Sequence, residues 1–402
     1  MKRIWLLLIA LTMMTALGCA QKVARCVAPE DNPAHHYLRG MEALEAGRLE
    51  VAAEKFERAV FCEERFAPAY GGKAIVHALK SRTMTDPGYR DVEALRAQEQ
   101  LETARKLAEG DTERFEQYLA VMRVATVLKG KDWIDVVEAA YNGALALERL
   151  DEKLLTYYQG REAASYFMGV AYLEGYAFRK AEDKFRETLA SRRMGKWNEP
   201  ADKAWKKTAK IVRAMGGITV GDVGRKIAVK EHVSRGDLTA LLIDELKLDK
   251  LFAGRIPVRS QVDALKAEFT PADLLSHPFR DEVLTILKWK VRGLEPKFDQ
   301  TTRAYLFLPN DRVQRGEMAF ILEDVLVKLT GDEKLATAFF GMERSPFPDV
   351  KPTSPYFNAV LTMTSRGIME GELSGEFRIN DAVDGAEAIL AVRMLQQKLN
   401  LY

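Results

Sequence analysis

Most of the chain carries hydrophobic residues at a helical spacing. From residue 34 to about residue 195 the apolar positions recur three and four residues apart, so they fall on one face of an α-helix. One long apolar run stands at the start of the chain, and no second one follows it. We therefore predict an all-α fold of amphipathic helices behind a short apolar leader.

The leader has the pattern of an export signal. Its apolar run, from Ile4 to Leu17, follows a basic start and is shorter than the roughly 20 residues of a membrane-spanning helix. It ends in Ala16-Leu17-Gly18-Cys19, which resembles the lipobox of bacterial lipoproteins. That resemblance implies a signal peptide over 1–18 and acylation of Cys19, which anchors the mature chain in a membrane. A plain cleaved signal with a free Cys19, or an uncleaved anchor helix, are the alternatives.

A first internal repeat lies in the region 34–195. A glycine, an alanine and a phenylalanine stand 12 and 4 positions apart at two places, which are Gly40, Ala52 and Phe56, and again Gly169, Ala181 and Phe185. Antiparallel helices approach closely only where small residues face each other, and an aromatic ring one turn later fills the gap to the next helix pair. We therefore predict that these six residues pack the repeats together.

This spacing resembles the tetratricopeptide (TPR) repeat. The resemblance implies about four helical pairs, two of them irregular, stacked into a solenoid over residues 34–195. It also implies a face that docks an extended segment of a protein partner. The alternative is that the same residues are simply the core of a helical domain without a partner.

Two further cysteines follow the predicted lipidation site. Cys26 lies in the linker 19–33, and Cys62 lies within the first repeat. Outside the cytoplasm two thiols can pair, so we consider a disulfide that ties the linker to the first folded unit. Two free or buried thiols are the other possibility.

A different repeat occupies residues 198–398. Gly217, Gly293 and Gly367 begin three related turns and stand 76 and 74 residues apart. Each glycine is followed by a four-residue motif whose second residue lies 18 to 22 positions after the glycine. In every copy an apolar residue lies eight positions before that second residue. The motifs are Ser234-Arg235-Gly236-Asp237, Gln314-Arg315-Gly316-Glu317 and Asp384-Gly385-Ala386-Glu387, and the apolar residues are Ile227, Phe307 and Phe377.

These copies, at about 198–247, 271–328 and 345–398, resemble S-layer homology (SLH) repeats. The third copy has Phe347-Pro348-Asp349, and the first has Trp205 twelve residues before its glycine. The resemblance implies a three-repeat helical bundle of approximate threefold symmetry. It further implies grooves between repeats that bind acidic, often pyruvylated, polysaccharide linked to peptidoglycan.

The motif residues fall into two groups. Ser234 with Asp237, Asp384 with Glu387, and the equivalent Glu317 have the spacing of residues that cap a helix start. A cap does not require the arginine, and a guanidinium can hold a carboxylate through two parallel hydrogen bonds. The SLH resemblance therefore implies that Arg235 and Arg315, with Trp205 nearby, contact the glycan, which requires both arginines to be exposed in grooves. The alternative is that each arginine pairs with a neighbouring acid.

The third copy departs from this pattern, because Gly385 stands where the arginine belongs and Asp384 adds a negative charge beside it. We therefore expect its groove not to bind an anionic glycan.

Charge and motifs exclude other classes of function. The 60 basic and 58 acidic residues nearly cancel, so the sequence does not favour a nucleic-acid partner. The five histidines are scattered, and we find neither zinc-ligand spacing, nor a glycine-rich phosphate loop, nor a nucleophile elbow. We predict a protein that is not an enzyme and has no cofactor and no metal.

Together these patterns predict a lipid-anchored protein of the cell envelope. On the lipoprotein resemblance Ala20 favours the outer membrane, with the chain facing the periplasm. The TPR-like half docks a protein partner and the SLH-like half binds wall glycan, so that the molecule tethers or scaffolds the envelope. One alternative is a periplasmic assembly or export factor whose TPR groove recognises a client. Another is an accessory subunit that activates a wall-building enzyme.

Overall fold

The structure is a computed structural model that describes residue 26 and residues 28–191, 195–217, 220–255 and 269–399 of the chain. It confirms the predicted all-α class, since the described residues form sixteen α-helices and one two-stranded sheet. The predicted leader 1–18 and Cys19 lie outside these residues. In the part that is described, no helix has both the length and the hydropathy needed to cross a membrane.

The chain divides into two compact units. The first comprises residues up to 175 together with 183–202, and the second comprises 176–182 and the residues from 203 onward. The first nine helices are α1 (Pro33–Glu45), α2 (Leu49–Cys62), α3 (Ala67–Thr83), α4 (Pro87–Leu107), α5 (Gly110–Leu128), α6 (Trp133–Leu145), α7 (Glu162–Glu174), α8 (Phe178–Ser191) and α9 (Asn198–Ala214).

The glycine and phenylalanine of the first repeat meet in the core of the first unit. A Cβ atom on Gly40 would lie 2.5 Å from the ring of Phe56, and one on Gly169 would lie 2.6 Å from the ring of Phe185. Both rings, together with Ala52 and Ala181, have no exposed surface. The ring thus occupies the space that a side chain on the glycine would need. The wider solenoid remains a prediction.

A disulfide joins Cys26 to Cys62, the last residue of α2, with Cα atoms 5.3 Å apart. Beside it, Asp31 accepts hydrogen bonds from Arg58 at 2.6 and 3.0 Å and contacts a ring nitrogen of His36 at 2.8 Å. The segment before α1 is therefore tied to the folded unit by one covalent bond and by a cluster of polar contacts.

The second unit contains shorter helices. They are α10 (Asp222–Ala228), α11 (Arg235–Ala240), α12 (Leu248–Arg255), α13 (Arg280–Lys288), α14 (Arg315–Thr330), α15 (Phe357–Ser365) and α16 (Gly385–Lys398). Strands β1 (Lys297–Asp299) and β2 (Ala304–Leu306) form an antiparallel hairpin in which Phe298 pairs with Tyr305. This hairpin lies between Gly293 and Phe307, where the second copy is four residues longer than the other two.

Candidate functional site

Three valines hold the three copies of the second repeat together. The amide of Val233 donates to the carbonyl of Val383 at 2.8 Å, that of Val383 to Val313 at 3.0 Å, and that of Val313 to Val233 at 3.0 Å. All three side chains are fully buried. The hydrogen bonds form a closed ring, so the three motifs are related by an approximate threefold axis that passes through it.

The turn glycines and the apolar residues of the copies also occupy equivalent positions. Gly217, Gly293 and Gly367 have φ angles of +80°, +87° and +64°, a conformation that side chains disfavour and glycine adopts readily. The apolar residues that precede the three motifs are at most 1 % exposed. They are Ile227, Phe307 and Phe377. The spacings read from the sequence therefore correspond to a repeated three-dimensional unit.

The first and last positions of the motifs lie at helix starts. The Ser234 hydroxyl accepts from the amide of Asp237 at 3.2 Å, and the Asp237 carboxylate accepts from the amide of Ser234 at 3.0 Å. Glu317 likewise accepts from the amide of Gln314 at 3.0 Å, while Asp384 accepts from the amide of Glu387 at 2.9 Å. These side chains pair the free amides of α11, α14 and α16.

Arg235 connects its own copy to the next one. Its Nε donates to the carbonyl of Phe307 at 2.9 Å, Nη1 to Gly293 at 2.7 Å and Nη2 to Glu295 at 3.1 Å. The guanidinium also lies 4.8 Å from the centre of the Phe307 ring. The residue is 4 % exposed, and burial lowers the pKa of Arg235.

Arg315 has equivalent contacts in the following copy. It donates to the carbonyls of Phe377 at 2.6 Å and Glu370 at 2.7 Å, and it forms an ion pair with Glu387. Burial lowers the pKa of Arg315 to about 10. The expectation that Arg235 and Arg315 are exposed is wrong, because both side chains are at most 4 % exposed and bond to backbone carbonyls across repeats. These carbonyls would lose their partners if the arginines turned outward.

The structure explains why the third copy has a glycine in place of the motif arginine. A Cβ atom on Gly385 would lie 1.8 Å from the carbonyl oxygen of Ile227, so no larger residue fits there. In the second copy, Arg315 pairs with Glu387, which is the motif acid of the third copy. The third copy packs in the same way against the first copy, whose motif acid is Asp237. The Lys230 ammonium lies 2.7 and 2.9 Å from the two Asp237 oxygens and supplies the missing cation. Sequence reasoning missed Lys230, since no motif marks it.

A cavity of about 350 Å³ lies beside Arg315 in the second unit. It is rich in charged groups, with five cations and three carboxylates among its lining residues. The cations are Lys210, Arg213, Arg315, Arg378 and Arg393, and the carboxylates are Glu370, Glu372 and Glu387. The net positive charge would favour an anionic ligand in this cavity.

Most of these cations already have partners within the unit. Lys210 pairs with Asp384, Arg378 lies 2.7 Å from Glu372, and Arg393 donates to two backbone carbonyls at 2.7 and 2.8 Å. Arg213 differs, because its side chain is exposed and has no hydrogen-bond or ion-pair partner among the described residues. Of the cavity's cations, it is therefore the one most available to a ligand.

No motif in the sequence marks Arg213, which lies on α9 in the first copy, whereas most of the cavity lining comes from the third copy. Trp205 is on the same helix but does not line the cavity, and its indole N–H is buried without a partner in the described part of the chain.

A second cavity, of about 530 Å³, lies near the Arg235 contacts. Its lining includes Leu294, Glu295 and Pro296 with the rings of Phe269 and Tyr305. These rings are 40 and 50 % exposed, and their centres are 5.2 Å apart. This cavity is therefore mainly apolar, in contrast to the charged one beside Arg315.

Among the residues that the structure describes, one group of side chains has the spacing of metal ligands. It contains Cys26, Asp31 and Cys62, whose ligand atoms lie within 4.8 Å of one another. Both sulfurs belong to the disulfide, and metals bind thiolates rather than disulfides, so this group does not form a metal site in the oxidised protein.

Comparison with known proteins gives a family match for part of the chain. Residues 346–389 match the family model of the S-layer homology domain. No curated protein and no solved structure matches the chain. The matched segment contains the third turn glycine, the third motif and much of the lining of the charged cavity. The third copy is thus similar to an S-layer homology domain, and this similarity indicates that the protein associates with the cell envelope.

Proposed function

We propose that this protein is a non-enzymatic component of the cell envelope whose second unit binds an acidic polymer of the cell wall. The charged cavity next to Arg315 carries this proposal, because cations outnumber carboxylates among its lining residues and about half of that lining lies within the segment that resembles the S-layer homology domain. A carboxylate of the polymer would reach Arg213 on the rim. Arg315 shapes the cavity wall and is not free to turn toward the ligand.

The anchoring and docking roles complete the proposal. Acylation at Cys19 would hold the chain in a membrane, which is the outer membrane on the lipoprotein resemblance at Ala20, while the first unit docks a protein partner. A molecule that is already membrane-bound needs less affinity for the wall, because attachment raises the effective concentration of the second site. The charged cavity beside Arg315 is compatible with such a role.

Co-sedimentation with purified wall sacculi tests the wall-binding role. The chain without residues 1–18 and with Cys19→Ser is compared with its Arg213→Glu variant, and Arg344→Glu is the control. Arg344 is also exposed and does not line the cavity. We expect Arg213→Glu to weaken binding about tenfold, equivalent to about 1.4 kcal/mol, and Arg344→Glu to leave it nearly unchanged. Wild-type binding should also decrease as salt is added.

Sacculi from which acid-labile polymers have been removed distinguish the ligands. Loss of sedimentation on these sacculi would assign binding to the attached acidic polymer rather than to peptidoglycan itself. If the wild type does not sediment at any salt concentration, the wall-binding proposal is wrong and the second unit has a structural role.

A further inference from the structure

The disulfide of the first unit belongs to a group of side chains that has a different chemistry when the two sulfurs are reduced. Ligand atoms of Cys26, Asp31 and Cys62 all lie within 4.8 Å of one another, and all three residues are partly buried. One Asp31 oxygen lies 3.8 Å from the Cys62 sulfur. In the oxidised protein the sulfurs are not thiolates, whereas reduction would provide two thiolates beside a carboxylate. Thiolate sulfur and carboxylate oxygen are both donors that zinc binds in proteins.

The fold brings these donors together from separate parts of the chain. Cys62 is the last residue of α2, whereas Cys26 and Asp31 precede α1. The Asp31 amide donates to the carbonyl of Ala28 at 2.9 Å, and the next residue, Asn32, caps α1 by accepting a backbone amide at 2.9 Å. Backbone contacts that do not involve the sulfurs therefore hold Asp31 beside the end of α2.

Hydrogen bonds orient the Asp31 carboxylate without using all of its lone pairs. Arg58 donates to its two oxygens at 3.0 and 2.6 Å, and Nε2 of His36 lies 2.8 Å from Oδ1. An ionised carboxylate has about four lone-pair sites, so these three contacts leave room for a cation. Carboxylates that bind metals are ordinarily held by such outer hydrogen bonds. The side chain is thus oriented by contacts that reduction leaves in place.

The charge of the reduced group suits a divalent cation. Two thiolates and the Asp31 carboxylate carry three negative charges, and Arg58 carries one positive charge. With His36 neutral, one divalent cation therefore neutralises the group. A nearby guanidinium also favours the thiolate form of cysteine, which is the form that binds metals. Sulfur ligands select zinc over magnesium and calcium, which prefer oxygen.

We propose that reduction of the disulfide between Cys26 and Cys62 turns this group into a zinc site. A dithiol reductant supplies two electrons and two protons, so that the S–S bond breaks, each sulfur takes a proton and the dithiol becomes a disulfide. Zn²⁺ then displaces both thiol protons and binds the two thiolates and one Asp31 oxygen, with water as the fourth ligand.

The geometry of the cysteines is compatible with this change. Two thiolates of a tetrahedral zinc site lie about 3.8 Å apart, farther than two bonded sulfurs. The Cα atoms of Cys26 and Cys62 are 5.3 Å apart, which leaves room for that separation. Zinc would then replace the disulfide as the link between the segment before α1 and the end of α2. For the reduced protein, this inference departs from the sequence-based prediction of no metal, and it is independent of the wall-binding and docking roles.

Zinc titration in competition with a chromophoric chelator tests the site. The chain without residues 1–18 and with Cys19→Ser is measured in its oxidised form and after treatment with a phosphine, a reductant that does not hold zinc as a dithiol does. We expect the reduced chain to bind one Zn²⁺ at least about a hundredfold more tightly than the oxidised chain, which lacks both thiolates. Co²⁺ supplies a spectroscopic signature, because thiolate ligands add a charge-transfer band in the near ultraviolet.

Variants establish which residues are responsible. In the reduced chain, Asp31→Asn should weaken zinc binding at least about tenfold, and Asp31→Glu should retain part of it because a carboxylate remains. Asp135→Asn is the matched control, since Asp135 is exposed and lies outside the group. It should bind like the wild type. If Asp31→Asn unfolds the first unit, Cys26→Ser decides the result, because no helix contains Cys26 and its loss removes one thiolate.

Three outcomes would overturn the proposal. The first is equal zinc affinity of the oxidised and reduced wild type, and the second is a Co²⁺ complex of the reduced chain without the charge-transfer band. The third is undiminished zinc binding by the double variant Cys26→Ser, Cys62→Ser, which would place the metal elsewhere. Equal binding by Asp31→Asn and Asp135→Asn would remove the carboxylate from the site and leave the two thiolates alone, which also contradicts the proposal.

Discussion

Glu116 is a carboxyl group enclosed in the core of the first unit, where it is 6 % exposed. Burial raises the pKa of Glu116 to about 8, against a smaller opposing effect of a hydrogen bond from Tyr37. One of its oxygens has no hydrogen-bond partner among the described residues. At neutral pH the folded protein therefore keeps this group protonated, because an isolated carboxylate would lose its hydration there.

This proton makes the stability of the protein depend on pH. The folded-state pKa of Glu116 lies above its ordinary value of 4.5, so the folded chain binds a proton that the unfolded chain loses. We expect the associated stabilisation to be complete below about pH 4.5 and to be lost as the pH rises toward 8. Relative to Glu116→Gln, the wild type should lose up to about 1.4 kcal/mol of unfolding free energy per pH unit in this range.

Urea unfolding at pH 5, 7 and 9 measures this effect. Glu99→Gln serves as the control, because Glu99 is exposed and its side chain has no partner among the described residues. Its stability should follow that of the wild type at every pH. Parallel profiles for the wild type and Glu116→Gln would show that Glu116 ionises normally in the folded protein.

The helix starts of the second unit connect the three copies at the level of elements. The first two residues of α11 donate backbone hydrogen bonds to Asp311 at 2.9 Å and to Pro309 at 2.8 Å, and those of α14 donate to Asp381 and Ile379, both at 2.9 Å. In α16 the amide of Gly385 donates to Lys230 at 3.0 Å. Each helix therefore begins against the loop of the next copy.

A single methyl group at the start of α16 tests this arrangement. Gly385→Ala would place a Cβ atom 1.8 Å from the Ile227 carbonyl oxygen, so the backbone of α16 or of α10 must move. We expect a loss of at least about 3 kcal/mol in the free energy of unfolding of the second unit, measured by circular dichroism in urea.

Gly130→Ala is the control for this change. A Cβ atom on Gly130 would meet no atom within 4 Å, and its φ is not positive. The variant should match the wild type or be slightly more stable, since alanine restricts the unfolded chain. If Gly385→Ala were as stable as the wild type, the third and first copies would not be packed as closely as the structure shows.

On the scale of the whole molecule, the disulfide acts on one of the two units. It closes a loop across a sequence separation of 36 residues that contains α1 and α2. Such a cross-link stabilises mainly by restricting the unfolded chain. Its effect should therefore be confined to the unit that contains both cysteines.

Reduction of the disulfide should accordingly destabilise the first unit by about 2–4 kcal/mol and leave the second unchanged. Urea unfolding with and without a dithiol reductant, followed by hydrogen exchange of amides in each unit, measures the two effects separately. The double variant Cys26→Ser, Cys62→Ser should be insensitive to the reductant. An equal loss of protection in both units would contradict this division.

Local sequence was sufficient for features that depend on a few neighbouring residues. The turn glycines, the capping residues at Ser234 and Asp237, and the glycine and phenylalanine of the first repeat follow from backbone conformation, from free amides at helix starts and from the size of side chains. These causes act within one or two turns of a helix. The helical spacing of the apolar residues was enough to predict an all-α chain. The contacts that these residues make in the structure arise from the same local causes.

The environment of each motif arginine depended on tertiary structure. The sequence of a motif is the same whether its guanidinium points to solvent or to carbonyls of the next copy, and only closure of the valine ring brings Phe307 and Gly293 to Arg235. Closure likewise leaves no room at Gly385 and places the charge of Arg213 at the cavity. The sequence by itself determined the repeats and their helices, whereas the assembled fold decided which charges are buried and which remain free to bind. The reason is that burial and the choice of partner arise from contacts between residues far apart in the chain.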